Sequence, residues 1–261
     1  MSGDLYSRFA RSFSEFADRA LVEAQGRVWT YAEIEREAAR LAAVLGGLGV
    51  TAGERVLVQT DKSVETVILY IAVIRAGGIY LPLNVDYTEA ELEYFAGDAT
   101  PILAVCRDAS TDLFERIGGG RFTVRTLDQL FAGLSDEQAA PVARDAEDIA
   151  AILYTSGTTG KPKGAMLTHR NLVANGDTLI DLWRFTPQDW LIHALPIFHV
   201  HGLFVAVHCV LFSGASMLFL PKFDSEVAIA EMARSTVLMG VPTFYIRLLA
   251  DDRFTREAAA G

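Results

Sequence analysis

The chain has 261 residues, 51% hydrophobic and 21% charged, which is enough apolar material for one large core or two ordinary ones and excludes a disordered chain. A formal net charge of −10 argues against nucleic acid and anionic membrane surfaces, although a few basic side chains and backbone N–H groups can still converge on an anionic ligand. Cys106 and Cys209 stand far apart in no metal-like spacing, the N-terminus has no continuous apolar run, and "ETVILYIAVIRAGGIYLPL" is broken by Arg75, Gly77, Gly78 and Pro82. Together these features predict a soluble cytoplasmic protein with buried, unpaired thiols.

In chain order, the first predicted helix opens at Thr30, a candidate N-cap, carries Ile34, Ala38, Leu41, Ala42 and Leu45 at helical spacing, and ends at Gly46-Gly47. "ERVLVQT" follows as a strand, "SVETVILYIAVIRAG" as a helix, "IYLPL" as a strand, "TEAELEYFAGDA" as a helix and "ILAVC" as a buried strand. Residues 107–147 are predicted to form a polar connection with one weak strand at "RFTVRTL", and "SDEQAAPVARDAED" is the expected boundary between two lobes. Alternation then resumes with the strand "IAAILYT", the strand "GAMLT", a helix from His169 capped by Thr168, and the strand "DWLIHAL". The helix "GLFVAVHCVLFSG", the strand "SMLFLP", the helix "EVAIAEMARS", the strand "TVLMGV" and a helix from Thr243 complete it. The fold expected is α/β, with layered, largely parallel sheets flanked by helices, and two lobes at 1–147 and 148–261.

Between two of these strands lies "YTSGTTGKPKG", residues 154–164. Gly157 and Gly160 permit positive φ and close backbone approach, Ser156, Thr158 and Thr159 add hydroxyl donors, and Lys161 and Lys163 add point charges suited to phosphate. The stretch is not a Walker A motif, because Pro162 stands where the second glycine belongs. From composition alone, a phosphate cradle and a solvated hairpin remain equally open.

The order of the residues goes further. Ser156 to Gly164 resembles the [ST]-S-G-[ST]-T-G-x-P-K-G loop of the class I adenylate-forming enzymes, the acyl-CoA synthetase superfamily. "AGGIYLPLN", "LPIFHVHGLF" and "VLMGVPTFYIRLL" resemble further segments of the same superfamily, and the long runs around the last two are similar to malonyl-CoA synthetases. The resemblance spans nearly the whole chain and identifies it with the N-terminal part of such an enzyme's large domain. It implies that Thr155, Ser156, Gly157, Thr158, Thr159, Gly160, Lys161 and Lys163 wrap the β- and γ-phosphates of ATP, with Lys163 neutralising charge during catalysis. It also implies Mg²⁺, CoA and a small acid as partners, with no nucleic acid and no membrane, and a missing C-terminal part that carries further catalytic groups. The chain alone is therefore expected to be inactive.

His199 and His201 form an H-x-H pair whose rings would share one face of a strand, but no third ligand is suggested, so no metal is expected. The resemblance implies that His199, and more weakly His201, lies in the acyl pocket or the thiol channel, while His193 and His208 are expected to be structural and Gly202 to allow close packing. Arg247, in "TFYIRLLA", is either an exposed helical arginine or the bidentate partner of a distal substrate carboxylate. The function implied is conversion of malonate, ATP and CoA to malonyl-CoA, AMP and pyrophosphate through a malonyl-adenylate. The alternatives are a synthetase for another short or aromatic acid, or a non-catalytic nucleotide-binding fragment.

Overall fold

The computed structural model describes residues 3–155 and 162–259, and the chain divides into two compact units. One comprises Met1–Ala10, Ile34–Asp61 and Glu65–Ala174, the other Arg11–Glu33, Lys62–Val64 and Asn175–Gly261.

Ahead of Thr30, where patterning marks no element, the chain forms helix α1 (Leu5–Glu15) and a hairpin of β1 (Ala20–Ala24) and β2 (Arg27–Thr30). Leu5, Phe9 and Phe13 repeat every fourth residue of α1 and are buried, and the hairpin turns through Gln25 and Gly26, both at positive φ. Helix α2 (Tyr31–Gly47) begins as expected: Thr30 Oγ1 accepts from the Glu33 N–H at 3.2 Å, and Glu33 accepts in return from the Thr30 N–H at 2.8 Å.

The first unit is built on β3 (Arg55–Gln59), α3 (Val64–Arg75), β4 (Ile79–Pro82), α4 (Glu89–Ala99), β5 (Leu103–Cys106), α5 (Thr111–Gly118), β6 (Thr123–Thr126), α6 (Leu127–Ala132), β7 (Ile149–Thr155) and β8 (Lys163–Thr168). Its six strands run in the order β6-β5-β3-β4-β7-β8, all parallel except the β7–β8 pair. Val67 to Ile74 of α3 are buried on every side, which explains why this stretch reads as a continuous apolar run. No helix among the described residues is long and apolar enough to cross a membrane.

Two expectations are corrected here. Besides the expected strand, β6, the polar connection 107–147 contains helices α5 and α6, and its last part is no linker between lobes. Buried Arg75 donates to the Ala139 carbonyl at 2.8 Å, its own carbonyl accepts from the Val142 N–H at 2.9 Å, and its guanidinium pairs with Glu35 at 2.7 Å and with the Tyr6 hydroxyl. These groups all belong to the first unit. Nor does residue 147 divide the compact units, because β7 pairs in parallel with β4 through Tyr80 and Ala151, which brings the β7–β8 hairpin into the first sheet.

The second unit holds the end of α7 (His169–Trp183), β9 (Trp190–His193), a π-helical stretch (His201–Val207) running into α8 (His208–Ser213), β10 (Ser216–Phe219), α9 (Ser225–Met232), β11 (Val237–Met239) and α10 (Pro242–Leu249). Its five strands run in the order β11-β9-β10-β1-β2, parallel except for the β1–β2 hairpin. Tyr31 donates between the Val210 and Ala215 carbonyls, 2.8 Å from each. Both cysteines are free and buried as expected, and burial pushes the Cys106 thiol up to about 11 and the Cys209 thiol up to about 12.

Buried histidine makes the protein acid-sensitive. His169, at the start of α7, accepts the Leu5 N–H on Nδ1 at 3.1 Å, and this requires a neutral ring. Desolvation lowers the pKa of His169 below its ordinary 6.5 and that of His193 well below it. Between the folded and ordinary values the unfolded chain binds more protons, so stability is complete above pH 6.5 and is lost as pH falls below it. The melting temperature is expected to drop between pH 7.5 and 5.5, and by less in His169→Gln. A flat profile would refute the assignment.

Candidate functional site

The candidate phosphate-loop segment lies between β7 and β8, the strands of a hairpin stem in the first unit. Its residues 156–161, covering Ser156, Gly157, Thr158, Thr159, Gly160 and Lys161, lie outside the described residues. The strands that carry it are clear: Thr155 and Lys163 form the closing pair of the antiparallel hairpin, with Tyr154 opposite Gly164. Two tyrosines nail this stem to α4. The Tyr154 hydroxyl donates to Asp98 at 2.6 Å, and its ring lies 4.3 Å from that of Phe95. The Tyr94 hydroxyl donates to the Pro162 carbonyl at 2.9 Å. Burial and the Asp98 carboxylate both raise the Tyr154 pKa, which keeps the phenol protonated as a donor. A side chain at Gly164 would press on Ile152, at 3.0 Å from its Cγ2. Thr155 and Lys163, the closing pair of the stem, are both exposed.

The acid-pocket candidates lie in the second unit. β9, β10 and β11 end together at His193, Phe219 and Met239, and in a parallel sheet the carboxyl ends of the strands are where ligands gather. From β9 the chain passes through residues 194–200 into the π-helical stretch, an irregularity frequent at functional sites. His199 is not on a strand, contrary to the sequence expectation. It lies in a bend with its ring 4.4 Å from that of Phe198, is exposed on its free side, and has its pKa lowered by partial desolvation. His201 opens the π-helical stretch, so the two rings do not share a strand face. Among the described residues no group of three His, Cys, Asp or Glu side chains could hold a metal ion.

Buried His193, expected to be structural, anchors this segment by donating from Nε2 to the Gly202 carbonyl at 2.8 Å. Gly202 has no room for a side chain: a Cβ there would overlap the Pro196 carbonyl, whose carbon would lie 2.8 Å away. Helix α10 starts with Pro242 at its first turn and presents Arg247 on its exposed side. Tyr245, Ile246 and Leu249 are exposed beside it, Leu249 by 77%, while Leu248 is buried with Phe223, Ala228 and Ile229.

Sequence reasoning did not single out Tyr94, Asp98, Tyr154 or Lys62. The tyrosines bear on the loop only through pairing of α4 with the hairpin stem, and Lys62 stands in a loop with no pattern around it.

Two largely parallel α/β units thus place the candidate site residues at the end of an antiparallel hairpin in one and at the carboxyl edge of a sheet in the other. The chain belongs to the AMP-binding enzyme family, whose profile matches residues 9–261. It is 30% identical to malonate–CoA ligase of Arabidopsis thaliana, covering 99% of this chain and 50% of that protein. It is 35% identical to the mitochondrial malonate–CoA ligase ACSF3 of Mus musculus, covering 92% and 44%. Among solved structures, MatB from Rhodopseudomonas palustris in its ATP-bound form matches with a TM-score of 0.93 and 50% identity, over 99% of this chain and 53% of that one. The chain thus spans about half the length of the relatives it matches.

Proposed function

We propose that the chain is the N-terminal part of an ATP-dependent acid–thiol ligase that makes malonyl-CoA. In this scheme a malonate carboxylate oxygen attacks the α-phosphate of ATP, pyrophosphate leaves, and CoA thiolate then displaces AMP from the malonyl-adenylate. The protein's work is positioning and charge neutralisation around a pentacoordinate phosphate. Residues Thr155 to Lys163 hold the departing pyrophosphate, and the acid lies near His199, with His201 beside it and Arg247 toward the distal carboxylate. Mg²⁺ is expected to travel with ATP, where it would neutralise phosphate charge; among the described residues no group of three His, Cys, Asp or Glu side chains could hold it.

The observation that carries this reading is the likeness to ATP-bound MatB over 99% of the chain, with relatives named malonate–CoA ligases at 30–35% identity. A second reading, a ligase for another short or aromatic acid, draws on 30% identity to feruloyl-CoA synthase from an Amycolatopsis species. The third is a nucleotide-binding piece without turnover. Malonate-dependent ATP–pyrophosphate exchange, run on the 261-residue chain and on a version extended to the length of its relatives, separates them. Exchange by the extended enzyme with malonate, and none by the chain alone, is expected. Exchange driven better by an aromatic acid would overturn malonate as the substrate, and turnover by the chain alone would overturn its dependence on a C-terminal part.

In the extended enzyme, Lys163→Ala should weaken ATP use more than acid binding. A charge-assisted contact to phosphate contributes about 1.5–3 kcal/mol, a factor of ~10–150 in rate or affinity. Unchanged ATP kinetics with unchanged stability would remove Lys163 from the site.

A further inference from the structure

Lys62 belongs to the second unit, where its side chain reaches the carboxyl ends of β9 and β10. These strands run in register, with His193 opposite Phe219. The Lys62 ammonium donates to the His193 carbonyl at 2.8 Å and stands over the Phe219 ring, 4.3 Å from its centroid. The His193 ring lies 5.0 Å from the same Phe219 ring and donates to the Gly202 carbonyl. Lys62, Phe219, His193 and Gly202 therefore form one continuous set of contacts. It clasps the segment 194–202 at both ends, and that segment carries His199.

This arrangement is costly to keep. A part-buried ammonium loses hydration that one carbonyl and an aromatic face only partly replace. Burial pulls the Lys62 pKa well below its usual range, and no carboxylate among the described residues offsets it. A methionine of similar length would fill the same corner without that cost, so packing alone does not account for a lysine here. A directed donor does, because a hydrophobic side chain can occupy the corner but cannot fix the His193 carbonyl in one orientation.

We propose that Lys62 is a positioning residue, whose ammonium fixes the end of β9 against the Phe219 ring and so sets the 194–202 segment that presents His199 and His201 to the acid. The presentation to the acid rests on the function proposed above; the clasp itself does not. The test uses the 261-residue chain with isotope-labelled lysine and histidine, observed by NMR. The chain has four lysines, and Lys62 should titrate below the other three. In Lys62→Met the ring resonances of His193, His199 and His201 should shift by more than a linewidth, while those of His169, in the other unit, stay in place. Removing the cation, which now pushes the His193 pKa down, should also move the His193 titration upward. Lys62→Arg, which keeps charge and donors, should bring the His199 and His201 resonances back toward wild type. The inference is overturned if these resonances in Lys62→Met superimpose on wild type, if arginine restores nothing, or if Lys62 titrates with the other lysines. Should Lys62→Met fail to fold, the wild-type lysine titration and the arginine spectrum still decide. None of these readouts needs acid, ATP or turnover, so failure of the malonate reading shows itself separately, in the exchange assay.

Discussion

Gly202→Ala is expected to destabilise the second unit by about 3 kcal/mol or more, near the upper end of what overpacking costs. The reason is what the new methyl meets. It overlaps the Pro196 carbonyl, a backbone group that no rotamer change can move aside. Either the turn 194–199 or the start of the π-helical stretch must shift, and either movement disturbs the His193–Gly202 bond. For a chain of this length the cost corresponds to a melting temperature lowered by roughly 6–12 °C. Gly97→Ala provides the contrast. Gly97 lies within α4, a Cβ there meets nothing within 4 Å, and alanine suits a helix better by about 1 kcal/mol. Thermal unfolding of the two variants beside wild type checks both signs. A Gly202→Ala curve that coincides with wild type would mean that the segment is not closely clasped.

The other large effect is on specificity. In an enzyme extended to the length of its relatives, Arg247→Leu should nearly abolish activity on malonate while leaving ATP affinity unchanged. Truncating one partner of a charge pair that becomes buried costs several kcal/mol, because the remaining carboxylate is desolvated and unpaired. Arg247 is exposed on α10, and the apolar side chains Tyr245, Ile246 and Leu249 are exposed around it. The effect therefore requires that ligand and the remainder of the enzyme cover this face. Activity on butyrate, whose tail would no longer meet a cation, should hold or rise. The measurement is kcat/KM for malonate and butyrate in both proteins. An unchanged ratio would return Arg247 to the surface and reopen the choice of acid.

Most of the fold from Thr30 onward was legible because its signals are local. Parallel strands buried on both faces read as short Val/Ile/Leu runs, and Thr30 and Thr168 announce helix starts by capping. The Thr168 N–H donates to the Asn171 side chain at 3.1 Å, and Thr168 Oγ1 accepts from the Asn171 N–H at 3.1 Å. The family was legible for a different reason: the residue order of 154–164 is itself a signature, and the chain belongs to the AMP-binding enzyme family. By contrast, α1 and the β1–β2 hairpin escaped because their burial depends on partners far along the chain, such as β10, which pairs β1 from nearly two hundred residues away.

The sequence by itself thus determined the class of architecture and the family, since periodicity, capping and residue order are properties of neighbouring residues. Only the tertiary structure decided which strands share a sheet, and hence that the β7–β8 hairpin joins the first unit while the histidine segment belongs to the second. The divisions between the units fall within α1, α2 and α7 and on either side of Lys62–Val64 at the start of α3, where no change of composition marks them. The same holds for Lys62, Tyr94 and Tyr154: their roles are set by contacts across long stretches of chain, from Lys62 to His193 and from Tyr154 to Asp98. A hydrogen bond of this kind leaves no periodic trace in sequence, because its two ends are brought together by sheet pairing and not by spacing along the chain.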